Sequence, residues 1–362
     1  MKDFMFWSVM MPFDEVVYCE DPQRWWFAPE MLSLIKQVTK KDKAQVLISP
    51  PLWRKKVYEK QFVANDAIVL ADSGGFQFYM MPKGRLKEYM STRELNYRLQ
   101  VKVGDYIVGG DMSVPYEITQ DRFKFYVDMT KENFALQFSL DPNLKDKFIN
   151  VLHGMSYTSA SVWYDAVKDF PHAGWAVGSG PPSPKGYGPF SKILFLYEKG
   201  ELDKCKILHI FKMSARNVVR DVAWLLHKLN YQGILSADSS SFSLGRVGRI
   251  WTEDGDAVLY SDIRAKKCKV KLLSGTVLED VPRHITNGLF KDMFYTSMVN
   301  FLDRFLTTVY PYFENSDFEP GETVQDVYKW WKVGGCELLW ERYCGQIKGR
   351  GVVELEKLVT KL

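Results

Sequence analysis

Eight short apolar runs, spaced through the first two thirds of the chain, constrain its fold more than any other feature. They are Phe4–Met11, Gln45–Ser49, Ile68–Asp72, Tyr106–Gly109, Phe148–His153, Gly174–Gly178, Ile207–Lys212 and Gly233–Asp238. Each is hydrophobic nearly throughout rather than alternating, the pattern of a parallel strand buried on both faces. Amphipathic helical patterns lie between them, over Glu30–Val38, Ser91–Val101, Thr119–Phe138, Ala160–Lys168, Ser191–Lys199 and Ala215–Leu229. Thr119, and Ser214 ahead of Ala215, are residue types that open helices. Eight strand–helix units in about 240 residues is the count of a (β/α)8 barrel. A doubly wound sheet is the competing layout; the even repetition favours the barrel.

The chain has 362 residues, more than the roughly 250 a barrel needs. The C-terminal third reads as two long aromatic-rich helices, Val281–Tyr310 and Thr323–Tyr343, outside the barrel. This gives a barrel over residues 1–260, with a basic segment and a helical region packed on it over 261–362. Gly180–Pro189 (GPPSPKGYGP) is a loop after the sixth strand, placed to act as a lid. At 46% hydrophobic and 25% charged residues the chain is not a disordered one. No run of about 18 apolar residues offers a transmembrane helix. Asp3 and the segment Pro12-Phe13-Asp14-Glu15 fit a signal peptide poorly. The five cysteines are scattered and form no CxxC pair, so neither a zinc ribbon nor a disulfide framework is indicated, and a reducing cytoplasm is the simplest compartment. A net charge of +4 does not by itself mark a nucleic-acid binder.

Catalysis in a barrel takes place at the C-terminal ends of the strands. Strand three ends in Asp72-Ser73-Gly74-Gly75-Phe76-Gln77, strand four in Gly109-Gly110-Asp111, strand five in His153-Gly154, strand six in Gly178-Ser179-Gly180, and strand eight in Asp238-Ser239-Ser240-Ser241. Any one of these aspartates alone reads most simply as a helix cap. Three on one rim, beside small-residue turns, read as a site. The paired glycines of Asp72–Gln77 allow backbone to approach a ligand closely, but form neither a GxGxxG nor a P-loop. Phe76 suits both a stacking platform and a core aromatic.

The run Ala71–Gln77, ADSGGFQ, resembles the signature of the tRNA-guanine transglycosylase family, the queuine and archaeosine enzymes. Further stations follow in that family's order: Val108–Glu117 (VGGDMSVPYE), Asn150–Gly154 (NVLHG), Gly174–Gly180 (GWAVGSG) and Gly233–Arg249 (GILSADSSSFSLGRVGR). The resemblance covers about residues 1–260, and the family fold is a (β/α)8 barrel. Its members exchange guanine for a 7-deazaguanine base without breaking the nucleic-acid backbone. The resemblance implies that Asp238 is the nucleophile and Asp72 the acid/base. It implies that Asp111 binds the N1–H and amine edge of the purine, that Phe76 stacks on the base, and that Gly178 and Ser179 read its carbonyl edge. Ser73 and Gly154 fall within the same base-binding turns. His153 stands where the family usually has Gln; it either keeps a base contact with altered selectivity or merely fills the volume. His172, His209 and His227 show no partner pattern and read as structural.

The family's CxCxxC…H zinc cluster is missing. Only Cys268 and His284 lie in that region, too few for a closed site, so no zinc and no other cofactor is expected. Arg246, Arg249, Arg264, Lys266, Lys267, Lys269 and Lys271 form the densest basic run, suited to phosphates or to a solvated hairpin. Trp330-Trp331 could stack bases, although helix packing explains them better. The missing zinc cluster, the altered fifth-strand turn and the compact C-terminus resemble the phage and genomic-island branch of the family, which places 7-deazaguanines in DNA. The expected activity is thus exchange of guanine in DNA, with free guanine and 7-deazaguanine as partner molecules. Action on tRNA is the first alternative, and a non-catalytic nucleic-acid-binding partner subunit the second. A homodimer is left open.

Overall fold

The computed structural model describes residues 1, 3–9, 29–49, 66–75, 86–112, 120–154, 156–178, 188–239, 248–282 and 285–343. Phe76, Ser179, Arg246, His284 and most of the Gly180–Pro189 loop therefore lie outside the described residues. Eight parallel strands close into a barrel in chain order: β1 (Asp3–Val9), β2 (Ala44–Ile48), β3 (Ala67–Ala71), β4 (Tyr106–Val108), β5 (Phe148–Leu152), β6 (Gly174–Gly178), β7 (Ile207–Phe211) and β8 (Ile234–Ser239). Pairing of Asp3–Ser8 with Ile234–Ser239 closes the ring. All eight coincide with the apolar runs, because a strand covered on both faces needs apolar residues on both. Met5, Trp7, Leu47, Leu70, Val108, Ile149, Val151 and Ala176 fill the barrel interior. Their neighbours, such as Phe4, Phe6, Val46, Val69 and Ile107, meet the helices. By this alternation Asp72, His209, Ser236 and Asp238 share the parity of the inward-facing positions.

The helices are α1 (Pro29–Thr39), α2 (Leu86–Val103), α3 (Gln120–Leu140), α4 (Tyr157–Val167), α5 (Gly188–Glu198) and α6 (Arg216–Lys228). Ser156 caps α4 through a capping box with Ser159. The N-cap of α6 is Ala215, which makes no side-chain cap bond, so Ser214 is not the cap.

After β8 the chain builds a small unit: hairpin β9 (Arg249–Trp251) and β10 (Ala257–Leu259), helix α7 (Tyr260–Arg264), and hairpin β11 (Val270–Lys271) and β12 (Val277–Leu278). Ile250, Ile263, Val270, Leu272, Leu278, Val281 and Met293 form its own apolar core. Helix α8 then spans Asn287–Val309 and starts later than the Val281 expected from the pattern, with Thr286 accepting from the Leu289 amide. Pro282 precedes it, and the Val281 carbonyl is taken by Arg264. Helix α8 packs between α1 and α6, and its Phe301 and Phe305 rings lie 6.1 and 4.6 Å from Phe6 of β1. It thus occupies the place of the barrel's eighth helix. The boundary expected at residue 260 does not follow this packing, since the barrel's last helix comes from beyond it and Ile250 belongs to the second core.

A short turn α9 (Pro311–Glu314) leads to α10 (Glu322–Tyr343), which packs on the outer side of α4, α5 and α6. Helix α10 is not continuous. Gly335 adopts φ 70°, a value that favours glycine, and Oε1 of Glu198 accepts the amide of Cys336 at 2.6 Å and Nε1 of Trp331 at 2.8 Å. Trp331 also meets Tyr197 and Tyr328, so this tryptophan is engaged in helix packing.

Candidate active site

Three carboxylates gather at the C-terminal rim, and each is placed by the strand it follows. The amide of Asp72 continues the β2–β3 ladder by donating to the Ile48 carbonyl at 2.8 Å. Asp72 is partly open to solvent, yet protein surrounds its carboxyl. Burial, followed by the charges of Asp111 and Asp238, pushes it up to about 7, against weaker opposition from the amides of Gly74 and Ser73. A carboxyl with this value changes protonation near neutral pH.

Asp111 is buried, and its two oxygens are held separately. Ser73 Oγ donates to Oδ1 at 2.7 Å, and His153 Nε2 lies 2.7 Å from Oδ2. Ser73 Oγ in turn accepts the Gly75 amide at 3.2 Å. A Cβ on Gly75 would stand 2.5 Å from the Asp111 carbonyl oxygen, so the two loops can meet only with glycine there. Behind them lies a layer of buried amides. Gln137 accepts the Gly110 amide, Asn133 donates to the Gly110 carbonyl, and Gln100 donates to the carbonyls of Ala71 and Val108. Gln137 also donates to Gln100. These side chains satisfy the backbone where β3 and β4 end and fix the direction of Asp111.

His153 packs edge-on against Trp163, with ring centroids 4.7 Å apart, and Trp163 is itself tied to the Val151 carbonyl. Gly154 has φ +131°, and a Cβ there would clash with the backbone of Ala160. Only glycine lets α4 start this close to the rim. Asp238 is buried, and its Oδ1 accepts the backbone N–H of Lys212 at 2.8 Å. At the end of β6, the Gly178 carbonyl faces Nζ of the buried Lys192 at 3.5 Å.

Two residues that no sequence pattern singles out lie at this site. Lys212 follows β7 with φ 57°. Burial lowers its ammonium below the ordinary lysine value, while the charges of Asp238 and Asp72 oppose that shift. His209 was expected to be structural; it is wholly buried and its Nε2 lies 3.4 Å from Oδ1 of Asp238. His172 and His227 do have partners, Glu201 at 3.5 Å and the Tyr312 carbonyl at 2.9 Å.

Within the basic run, several cations already have partners. Lys267 pairs with Asp262 at 3.4 Å, Lys269 reaches Glu279 at 2.5 Å, and Arg264 is spent on the Val281 carbonyl. Arg249, Lys266 and Lys271 are exposed. Among the described residues no group of three His, Cys, Asp or Glu side chains is arranged to hold a metal ion, and no helix is long and apolar enough to cross a membrane.

The fold and the rim define the class: a (β/α)8 barrel with the site layout of barrel enzymes. No family model matches the chain, and no curated protein matches it. Among solved structures, the carboxyl transferase domain of Rhizobium etli pyruvate carboxylase with 3-bromopyruvate is similar over 95% of this chain and 55% of that one, at 11% identity and a TM-score of 0.31. A variant of Rhizobium etli pyruvate carboxylase with acetyl coenzyme-A is similar over 99% of this chain and 35% of that one, also at 11% identity and 0.31. The chain thus spans about half or less of the length of these structures, and likenesses so distant carry no argument about chemistry.

Proposed function

We propose that the protein is a base-exchanging glycosyltransferase that replaces guanine in DNA with a 7-deazaguanine. The observation that carries this reading is the pairing of unlike carboxyls on one rim: Asp72, pushed up to about 7, beside Asp238, whose Oδ1 is already held by a backbone N–H. A carboxyl that holds its proton near neutral pH, next to a second carboxyl on the same rim, suits the acid role and leaves the nucleophile role to its neighbour. Asp238 attacks C1′ of the sugar, forming an ester-like C–O bond as the bond from C1′ to guanine N9 breaks. The electron pair of that bond goes to the purine, which takes the proton of Asp72. The incoming 7-deazaguanine then gives its N9 proton to the Asp72 carboxylate and attacks C1′, and Asp238 leaves as a carboxylate. Atoms and charges balance with these side chains alone.

Asp111, held by Ser73 and His153, offers a buried acceptor for the donor edge of a purine. A base paired in a duplex cannot reach this rim, so the target nucleotide must leave its stack. The test is incubation of the full chain with labelled guanine and either DNA or tRNA. Label in DNA supports the reading, label in tRNA alone moves the substrate to tRNA, and label in neither overturns base exchange.

A further inference from the structure

His209 sits in the interior of the barrel, in register with Ala176 on β6 and Ser236 on β8. It is wholly buried. Its Nδ1 lies 2.8 Å from Ser236 Oγ. Its Nε2 has no hydrogen-bond partner among the described residues and lies 3.4 Å from Oδ1 of Asp238. The Phe211 ring stands perpendicular to the imidazole with centroids 4.7 Å apart, which fixes the ring plane. An imidazole nitrogen left dry and unpaired costs stability that an apolar side chain in the same volume would not. Packing alone therefore does not account for a histidine here.

A neutral imidazole carries one N–H and one lone pair. With the hydroxyl of Ser236 donating to Nδ1, the proton sits on Nε2, the ring nitrogen nearer Asp238. The other tautomer would turn a lone pair toward a carboxylate oxygen in a desolvated site. Electrostatics thus select the Nε2–H form. Oδ1 of Asp238 then accepts one hydrogen bond, from the Lys212 amide, and has the Nε2–H of His209 beside it at 3.4 Å, a contact short of a hydrogen bond. No hydrogen bond reaches Oδ2 among the described residues.

We propose that His209, oriented by Ser236, is a positioning residue whose Nε2–H dipole biases Oδ1 of Asp238 across 3.4 Å, in support of the Lys212 hydrogen bond, and leaves Oδ2 as the oxygen that reacts. This rests on the reading of Asp238 as nucleophile, and the experiment has two arms so that the two can fail separately. The first arm needs no activity. In the full chain labelled with ¹⁵N-histidine, the His209 signals are assigned by their loss in His209→Gln. The expected spectrum at neutral pH has a bare Nδ1 and a protonated Nε2, an Nε2–H signal displaced by Asp238→Asn, and a growing share of the Nδ1–H form in Ser236→Ala. A proton on Nδ1 in the wild type, or an Nε2–H signal indifferent to Asp238→Asn, overturns the proposal.

The second arm measures base exchange. His209→Phe lowers kcat by up to roughly tenfold, less than a full hydrogen bond to a charged group would give, with KM for the nucleic acid unchanged. His209→Gln, which can return an N–H to the same place, recovers part of the loss. An unchanged kcat in His209→Phe overturns the positioning role while base exchange stands. Absence of exchange in the wild type overturns base exchange, and the spectra still decide whether His209 acts on Asp238.

Discussion

Nε2 of His153 lies 2.7 Å from Oδ2 of Asp111, which joins the end of β5 to the end of β4 across the barrel rim. With Ser73 on the other oxygen, Asp111 enters any reaction with both oxygens already oriented. In the proposed reaction, a purine donor edge would therefore meet an acceptor that needs no reorganisation. Removing His153 leaves a buried carboxylate held from one side only. His153→Ala is expected to raise KM for free guanine about tenfold, the cost of one charge-assisted hydrogen bond, with a smaller change in kcat. His153→Gln should stay near the wild type, since an amide N–H can reach the same oxygen. Steady-state exchange with guanine as the varied substrate measures both.

The raised value of Asp72 has a consequence for stability that does not depend on the reaction. Its folded value is about 7, whereas an unfolded aspartate titrates near about 3.9. The folded protein therefore binds this proton more tightly. Stability from the group is fullest below pH about 4, falls as pH rises toward about 7, and stays low above that. Asp72→Asn removes the penalty. At pH 8 the variant should be more stable than the wild type by on the order of 2 kcal/mol, and the difference should close by pH 4. Urea denaturation at the two pH values reads it directly.

Catalysis should follow the same proton in the opposite sense. In the proposed base exchange, departure of guanine needs Asp72 protonated, so exchange should fall as pH rises above about 7. Lys212 favours the ionised form of Asp72. Lys212→Gly keeps the backbone N–H that holds Asp238 and removes the ammonium, so the alkaline limb of the kcat/KM profile should move to higher pH. The glycine also relieves a left-handed conformation, worth about 0.5–1 kcal/mol of stability. A limb that stays in place would mean that Lys212 does not act on Asp72.

How much of this was legible follows from where each residue sits. The eight strands could be read because burial on both faces leaves an apolar run with no polar interruption. Asp72, Asp111 and Asp238 could be read because they end such runs. His209 could not: it lies inside the run Ile207–Phe211, and only the parallel register brings it opposite Ser236 and beside Asp238. Lys212 looks like the end of a strand until its φ and its distance from Asp238 are known. The part played by α8 was also hidden. Periodicity marks an amphipathic helix but not the groove it fills, and an excursion through the small second core separates it from β8. The kink of α10 turns on Glu198, a residue from another helix.

At the opposite, N-terminal end of the barrel, Glu201 accepts Tyr164 Oη at 2.8 Å and Trp175 Nε1 at 3.0 Å, and His172 Nε2 lies 3.5 Å away. Burial opposes its ionisation, but these three hydrogen bonds outweigh burial and pull the carboxyl down to about 2. Its contribution is present above the unfolded value of about 4.3 and is lost as pH falls toward about 2. Glu201→Gln should destabilise the protein at pH 6 by on the order of 2 kcal/mol and much less at pH 3. Exchange activity at pH 7 and low temperature should be retained, since conservation of shape at this end serves stability. An equal loss at both pH values would mean that the charge of Glu201 contributes nothing.

The basic run beyond β8 divides into cations that are already engaged and cations that are not. Lys267 and Lys269 face Asp262 and Glu279, and a phosphate must displace those carboxylates to bind them. Lys266 and Lys271 are exposed, and no ion pair holds either among the described residues. If nucleic acid runs along this unit, each phosphate contact contributes about one unit to the log–log slope of affinity against salt. Neutralising Lys266 and Lys271 together should therefore weaken binding and flatten the slope by up to about two units. Neutralising Lys267 and Lys269 should flatten it less, and frees two carboxylates that repel the strand. The exchange rate at saturating nucleic acid should change little in either case, because Asp72, Asp111 and Asp238 lie on the barrel rim and keep their own partners. Binding isotherms at several salt concentrations separate the two pairs. Equal slopes for the wild type and the Lys266/Lys271 double variant would move the nucleic-acid path off this hairpin unit altogether.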